Sequence, residues 1–476
     1  MANMLRNIPS VNELLDSPPL RKLVDRASRS VVLNGVRDFL DNLRKEVQST
    51  AADLKLPGAG ELAERIAQWI AHEERPSLRP VINATGILLH TGLGRAPLAE
   101  EAITALVEVA RDYASVEIDL ESGERSQRVV AVERLLTQLT GAEAAAVVNN
   151  NAAATLLTLA ALAGGREVIV SRGELVEIGG SYRLPEVMQA SGAILREVGT
   201  TNKTRIGDYQ AAIGPQTAAL LHVHPSNYVV QGFTESTSLT DLVALARREK
   251  QLVIDDIGSG ALWDFARCAV TDEPRPQDSI KSGADVVLFS GDKLLGGPQC
   301  GIIVGSRACI DKISRHPLAR AVRVDKLTLA ALAATLRLYQ DPDTVEHRVP
   351  LLMLLTTPVE NLRNRAERLA PQLAACPAIA KAEPVADTAF LGGGSMPSQS
   401  IPTWCVALTP ARESVEALSR ELRHGHPSVC GRISQDRLLV DLRSVFARQD
   451  HLLVSAVRAL GETSPSDQDS PDPAHP

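Results

Sequence analysis

Apolar residues recur with helical spacing near the start of the chain. Between residues 31 and 47 they return every three or four positions, which predicts one amphipathic helix. The sequence L-P-G-A-G at residues 56–60 interrupts the pattern, and a second amphipathic helix is predicted near residues 61–71. Residues 1–75 are therefore predicted to form a small helical domain with a linker.

The pattern changes between residues 76 and 340. Short runs such as A-A-A-V-V, R-E-V-I-V, Q-L-V-I-D-D and D-V-V-L-F-S alternate with Ala- and Leu-rich helical stretches. Strands that alternate with helices predict an α/β domain with a mainly parallel central sheet flanked by helices. Ligands of such sheets bind at the carboxyl ends of the strands, so polar residues at those ends are the candidates for a site.

The rest of the chain divides into two parts. Residues 341–462 are predicted to form a smaller α/β domain, with a glycine turn at residues 392–394 and a strand at residues 437–442. Residues 463–476 are rich in Pro, Ser and Asp and are predicted to be a disordered tail, because they cannot bury apolar surface.

Charge and composition narrow the function classes. The net charge of −7 argues against a protein that coats nucleic acid non-specifically, since such binding needs many Lys and Arg against phosphates. A local RNA contact stays open: residues 1–80 carry 12 Lys and Arg against 11 Asp and Glu, whereas the other residues carry 38 against 46. This difference weakly favours an anionic partner for the amino-terminal end.

The sequence contains no predicted membrane span and no secretory leader, so a cytoplasmic protein without membrane contact is expected. Its 6 cysteines include no C-x-x-C pair, and neither a metal site nor a disulfide framework is predicted.

The sequence N-N-N-A-A-A-T follows a predicted strand and opens a helix. Backbone amides at such a helix start, next to small side chains, can bind a phosphate, which makes Asn149, Asn150 and Asn151 candidate ligand contacts. The alternative is an Asn-rich helix cap with no ligand.

The strand that ends in Asp255 and Asp256 supplies a carboxylate. Placed at a strand end, it could hold a pyridine nitrogen protonated. A turn-forming or helix-capping aspartate is the alternative, and the residue pattern leaves open which of the two would act.

The strongest signal is D-V-V-L-F-S-G-D-K-L-L-G-G-P-Q-C-G, in which an apolar strand delivers Ser290 and Lys293 into a Gly-rich turn. A lysine buried there can form a Schiff base once its pKa falls. A surface lysine is the alternative, but that does not explain the apolar strand before it. Ser226 and Asn227 follow another predicted strand. The order of the Asn-rich turn, this Ser-Asn pair, the aspartates and the lysine turn resembles that of aspartate-aminotransferase-like enzymes that use pyridoxal 5′-phosphate (PLP).

A basic cluster includes Arg95, Arg320 and Arg323. Arg320 and Arg323 are predicted to share one face of a helix, and guanidinium groups match the geometry of a tetrahedral oxyanion. An exposed helix with ion pairs is the alternative.

Longer strings carry a specific resemblance. V-I-N-A-T-G-I-L-L-H-T-G-L-G-R-A, E-V-G-T-T-N, S-N-Y-V-V-Q-G-F-T and F-S-G-D-K-L-L-G-G-P-Q-C-G-I-I-V-G resemble the bacterial L-seryl-tRNA(Sec) selenium transferases, or selenocysteine synthases, and the similarity extends over residues 81–445. The resemblance implies PLP-dependent transferase fold type I, a cytoplasmic homodecamer built as a pentamer of dimers, and an amino-terminal domain that recognises tRNA.

The resemblance also implies a reaction. Seryl-tRNA(Sec) loses its hydroxyl by β-elimination, selenophosphate adds selenium to the resulting aminoacrylyl-tRNA, and phosphate is released. The implied contacts fall into three groups: Lys293 and Asp256 in catalysis; Asn149, Asn150, Asn151, Asn227, Asp256, Ser290 and Lys293 on PLP; and Arg95, Arg320 and Arg323 on selenophosphate.

Some roles stay open at this level. Arg172, Glu174 or another segment could cover the PLP ring, and His222 and His224 could be near the site or be structural. Two alternative functions are a PLP-dependent lyase acting on a small amino or sugar acid and a non-catalytic RNA-binding homologue.

Overall fold

A computed structural model describes residues 8–49, 57–73, 78–126, 130–179, 182–225, 228–268, 270, 273–392 and 395–460. The chain forms two compact units, Met1–Pro80 and Val81–Pro476. The predicted contact Asn227, with its neighbour Ser226, lies outside the described residues, and so does the predicted tail at 463–476.

The first unit is helical, as its apolar spacing predicts. Its helices are α1 Val11–Leu15, α2 Pro18–Val24, α3 Arg29–Ser49 and α4 Ala59–Glu73. The buried residues of these helices form a core of their own, which includes Leu20, Val36, Leu40 and Ile66. Every described residue of this core belongs to the first unit, so the helices bury their apolar faces against one another.

The strands belong to the second unit. They are β1 Val81–Ala84, β2 Ile87–Leu89, β3 Ala144–Val148, β4 Glu167–Ser171, β5 Glu177–Ile178, β6 Tyr182–Arg183, β7 Ile194–Val198, β8 Thr217–Val223, β9 Leu252–Gly258, β10 Val286–Ser290, β11 Gly301–Gly305, β12 Ile379–Gly392, β13 Ser395–Pro410, β14 Ser428–Ser434 and β15 Arg437–Asp441. The last of these lies where the sequence predicts a strand.

The helices of this unit lie between those strands in the chain. They are α5 Glu100–Arg111, α6 Val130–Thr140, α7 Asn151–Ala163, α8 Leu184–Ala190, α9 Ile206–Ala212, α10 Leu239–Glu249, α11 Pro276–Ser282, α12 Arg307–Arg315, α13 Leu318–Ala321, α14 Lys326–Leu338, α15 Val345–Arg348, α16 Pro350–Thr356, α17 Val359–Ala374, α18 Val415–His424 and α19 Asp450–Ala459.

The larger sheet has seven strands in the order β3-β11-β10-β9-β8-β4-β7. Its neighbours from β10 to β7 pair in parallel, whereas β11 runs antiparallel to both β10 and β3. Buried residues on its two faces form separate apolar clusters, so the sheet is covered on both sides. The carboxyl ends of β8, β9 and β10 therefore meet at one edge, where the sequence places its candidate site.

The smaller sheet has six strands in the order β1-β14-β15-β13-β12-β2. The sequence predicts this region as residues 341–462, but β1 and β2 come from residues 81–89 and pair with β14 and β12. At Gly86, a side chain would collide with the Asp441 carboxylate, and the backbone φ of +78° favours glycine. Within the second unit, the chain therefore begins in the smaller sheet, forms the larger sheet and then returns to the smaller one.

None of the helices among the described residues is both long and apolar enough to cross a membrane.

Candidate active site

A cavity of about 250 Å³ opens at the carboxyl edge of the larger sheet. Six of the residues singled out from the sequence line it together: Arg95, Asn150, Asn151, Asp256, Ser290 and Lys293. They come from four separate stretches of the chain, which the parallel strands bring to one edge.

Lys293 lies three residues beyond β10, in the turn that precedes β11. Its side chain is buried, with 5% of its surface exposed. Burial lowers the pKa of the Lys293 amine, and the nearby positive charge of Arg95 lowers it further. A lysine held in this way is closer to the neutral, nucleophilic form than a surface lysine is.

Asp256 lies in β9 and is also buried. Its two carboxylate oxygens accept hydrogen bonds from Asn151 Nδ2 and Thr155 Oγ1, each at 2.8 Å. Burial raises the pKa of Asp256, while these two donors and Lys293 favour the charged form. The carboxylate is thus fixed in place by two side chains of α7 before any ligand is considered.

The neighbouring Asp255 has a different partner. Its Oδ1 lies 2.7 Å from Nδ1 of His222, and Asp255 does not line the cavity. Adjacent residues of a strand point to opposite faces of the sheet, which explains why one aspartate faces the cavity and the other does not. The geometry therefore favours Asp256 over Asp255, a choice that the residue pattern leaves open.

The Asn-rich turn forms the helix cap that the sequence predicts as one of its two alternatives. Asn150 caps α7, with its Oδ1 accepting from the backbone N–H of Ala153 at 2.9 Å. The first N–H groups of a helix have no partner within the helix, so this end of α7 remains suited to an anion. Asn149 does not line the cavity; its backbone N–H donates to the carbonyl of Val322.

Arg95 reaches the cavity from the chain that follows β2. Its guanidinium Nη1 lies 2.7 Å from Oδ2 of Asp292, the residue before Lys293. The Arg95 Nε is buried and has no hydrogen-bond partner among the described residues. A donor of this kind is available to an anionic ligand.

Arg320 and Arg323 are placed differently from the prediction. Helix α13 ends at Ala321, so the two residues do not share a helix face. Arg323 instead pairs through its backbone with Val148, beside the Asn-rich turn. Both residues are exposed, and neither lines the cavity.

Other cavity residues were not found from the sequence. Among them are Asp292, Gln299 and Tyr182, of which Asp292 stands directly before the lysine in the quoted S-G-D-K string. Burial raises the pKa of the Tyr182 hydroxyl, and the charge of Asp256 raises it further. Tyr182 lies in the short strand β6, and no motif marks it in the sequence.

The sequence leaves open whether Arg172, Glu174 or another segment covers the PLP ring, and the structure places both residues away from the cavity. Arg172 lies half-exposed in an ion pair with Glu197, and Glu174 accepts from the backbone N–H of Val223. Neither lines the cavity, whereas Val176 and His224 do. His222 is partly buried, lies beside Asp255 and is not in the lining of the cavity.

The buried Glu174 and the partly buried His222 both have pKa values that are shifted by their surroundings. Burial raises the pKa of Glu174 to about 7, and Asp255 helps to raise the pKa of His222 to about 9 although burial alone would lower it.

The cavity residues fit PLP. The cofactor needs an amine for its aldehyde, a carboxylate for its ring nitrogen and donors for its phosphate. Lys293, Asp256 and the start of α7 supply these groups around one cavity. In addition, the buried Asn151 Oδ1 has no hydrogen-bond partner within the described part of the chain.

Known proteins are similar to this chain over nearly its whole length. A family model described as L-seryl-tRNA selenium transferase matches residues 81–446, and one described as selenocysteine synthase N terminal matches residues 5–44. The chain belongs to the L-seryl-tRNA selenium transferase family. A curated L-seryl-tRNA(Sec) selenium transferase of Moorella thermoacetica is 47% identical over 460 residues, covering 96% of this chain and 97% of that protein. One of Hyphomonas neptunium is 46% identical over 463 residues, covering 97% and 99%.

A solved structure supports the fold. D-glucosaminate-6-phosphate ammonia-lyase matches with a TM-score of 0.56 and 22% identity, covering 81% of this chain and 96% of that chain. The prediction of PLP-dependent transferase fold type I is confirmed, and so is the family resemblance. Membership of the selenium transferase family also confirms the predicted type of enzyme, the conversion of L-seryl-tRNA(Sec) to L-selenocysteinyl-tRNA(Sec) and the PLP cofactor.

Proposed function

We propose that this chain converts L-seryl-tRNA(Sec) to L-selenocysteinyl-tRNA(Sec), with selenophosphate as the selenium donor and PLP bound to Lys293. The observation that carries the proposal is a buried lysine whose pKa is lowered, in one cavity with a carboxylate fixed by two hydrogen bonds. The sequence identity to curated L-seryl-tRNA(Sec) selenium transferases supports this reaction.

When bound, PLP withdraws electrons from the Cα of the seryl group, so that the Cα proton and the β-hydroxyl can leave. The chain's own residues prepare this step. Asp256 holds a proton at the pyridine nitrogen, Asn151 and Thr155 keep the carboxylate oriented, and Lys293 Nζ takes the proton from Cα as a general base.

The start of α7 and Ser290 bind the cofactor phosphate in this proposal. Asn150 contributes by ordering the turn through its cap, and Asn151 by fixing Asp256. The roles of Asn149 and Asn227 on the cofactor stay predictions, since Asn149 lies away from the cavity lining and Asn227 lies outside the described residues.

Selenophosphate requires cationic donors near the amine. Arg95 meets this requirement, because it lines the cavity and its Nε is unpartnered in the described structure. Arg320 and Arg323 are both exposed, and Arg323 pairs through its backbone with Val148. Their contact with selenophosphate remains a prediction from the family resemblance.

The helical unit is proposed to bind the tRNA. The family model for the selenocysteine synthase amino terminus matches residues 5–44, which include α1, α2 and most of α3. The homodecamer, built as a pentamer of dimers, and the cytoplasmic location are likewise proposals that rest on the family.

Incubation of the holoprotein with seryl-tRNA(Sec) and selenophosphate tests the function. We expect mass spectrometry of the released aminoacyl group to find selenocysteine, and we expect no selenocysteine when selenophosphate is omitted. Unchanged serine in every reaction, with cofactor bound, would contradict the proposal. Release of ammonia from a free amino sugar acid would support the lyase alternative.

Deletion of Met1–Pro80 is expected to weaken seryl-tRNA(Sec) binding by at least about 10-fold, because each lost phosphate contact lowers affinity. The visible absorbance of the bound cofactor should stay, since the second unit keeps its own apolar clusters. Filter binding measures the first quantity and absorbance the second. Undiminished tRNA affinity of the shortened protein would rule out a tRNA-binding role for this unit.

A further inference from the structure

Glu174 is a buried acid that the reaction described above does not use. It does not line the cavity, and 8% of its surface is exposed. Its Oε2 accepts a hydrogen bond from the backbone N–H of Val223 at 2.9 Å, and this contact is buried. Val223 does line the cavity. Because a buried N–H that loses its acceptor is costly, the Glu174 side chain stabilises this position of Val223.

The hydrogen bond continues the contact between β4 and β8 beyond the end of β4. The two strands pair in parallel as far as Val170 and Leu221. After Ser171 the chain leaves the sheet in a short 3₁₀ turn, Arg172–Glu174. Val223 is the last residue of β8. The side chain of Glu174 therefore supplies an acceptor to β8 where the backbone of β4 no longer pairs with it.

The backbone of Glu174 holds a second part of the cavity wall. Its carbonyl accepts from the backbone N–H of Val176 at 2.9 Å, and the Val176 carbonyl accepts from that of Leu184 at 3.1 Å. Between these two residues, β5 and β6 pair in antiparallel fashion, and we call residues 176–184 the hairpin segment. Five described residues of the hairpin segment line the cavity: Val176, Ile178, Gly179, Tyr182 and Leu184.

We infer that Glu174 is a positioning residue, which ties the hairpin segment to the end of β8 and so fixes one wall of the cofactor cavity. The inference rests on the proposed function in one respect, namely that PLP occupies this cavity. A wall that is already ordered costs less conformational entropy when the cofactor binds. The role requires the reach of the side chain rather than its charge, because a carboxylate oxygen and an amide oxygen both accept from an N–H.

Three substitutions of Glu174 separate reach from charge. Glu174→Gln keeps an acceptor oxygen at the same reach, and burial already raises the pKa of Glu174 to about 7, so a neutral side chain should be accommodated. Glu174→Asp keeps the acid but is one methylene shorter, and Glu174→Ala has no acceptor. We expect the Asp and Ala holoproteins to lose PLP about 10-fold faster than the unchanged protein, since the unpaired Val223 N–H weakens the wall. The fall of visible absorbance after dilution measures this rate.

Hydrogen exchange of the holoproteins, followed by mass spectrometry, tests the same contact without any reaction. The amides of Val223 and of the hairpin segment should exchange about 10-fold faster in Glu174→Asp and Glu174→Ala, and at the unchanged rate in Glu174→Gln. Glu186→Ala is the matched control, because Glu186 is an exposed acid of α8 that pairs with Arg183 at the surface. It should alter neither quantity, since exposed ion pairs contribute little.

Unchanged PLP loss or unchanged exchange in the Asp and Ala proteins would overturn the inference. Retention of PLP by Glu174→Asp together with its loss from Glu174→Gln would overturn it too, because the charge would then be what acts. If Glu174→Ala does not fold, the Asp and Gln proteins decide. Should borohydride fail to fix the cofactor on Lys293 of the unchanged protein, the proposed function itself would be wrong, while the exchange of the Val223 amide would still test Glu174.

Discussion

Replacement of Lys293 by Ala is expected to abolish selenium transfer, with turnover falling by at least about 10³-fold. The substitution removes both the nucleophile that binds the cofactor and the base that takes the Cα proton, and a general base alone contributes about 10² to 10⁴. Turnover is measured from the selenocysteine formed on the tRNA. Borohydride reduction followed by peptide mass spectrometry should locate the pyridoxyl group on Lys293 in the unchanged protein.

Lys281→Ala is the control for this substitution, because Lys281 is an exposed lysine of α11. It should keep full activity. The Lys293→Ala protein should bind tRNA as before, since the proposed tRNA contacts lie in the helical unit. A pyridoxyl group found on another side chain, or loss of tRNA binding together with activity, would contradict the assignment.

Replacement of Asp256 by Asn is expected to lower turnover by roughly 10²- to 10³-fold or more. Removing one partner of a buried ion pair costs about 3 to 5 kcal/mol, and each 1.4 kcal/mol corresponds to a factor of about ten. Without the carboxylate, the cofactor ring loses the group that holds its nitrogen protonated. Single-turnover kinetics with excess enzyme separates this effect from weaker cofactor binding.

The control is Asp264→Asn, in an exposed aspartate eight residues further along the same segment. It should react at the unchanged rate. If Asp256→Asn retained full turnover at saturating PLP, another group would have to protonate the ring.

The sequence predicted the centre of this site because each residue there lies at the end of a strand or shortly after one. Lys293, Asp256 and Asn151 all stand within a few residues of an apolar run, and parallel strands bring such positions together. The order of the motifs then identified the cofactor, and the longer strings identified the family.

Residues that do not lie at the end of a predicted strand were either not found from the sequence or assigned to the wrong element. Tyr182 reaches the cavity from a two-residue strand that no periodic pattern marks. The helix predicted to carry Arg320 and Arg323 ends at Ala321 because Arg323 pairs with Val148, a contact between distant parts of the chain. The entry of β1 and β2 into the smaller sheet depends equally on long-range pairing.

The pairing of β2 with β12 connects the start of the second unit to its carboxyl-terminal part. Only a short connection separates Leu89, at the end of β2, from Arg95 in the cavity, and β2 is an edge strand held by β12. The Arg95 guanidinium, which lines the cavity, is therefore anchored to residues nearly 300 positions away in sequence. A substitution that loosens the carboxyl-terminal sheet is therefore expected to weaken anion binding by Arg95, although it changes none of the residues proposed to hold the cofactor.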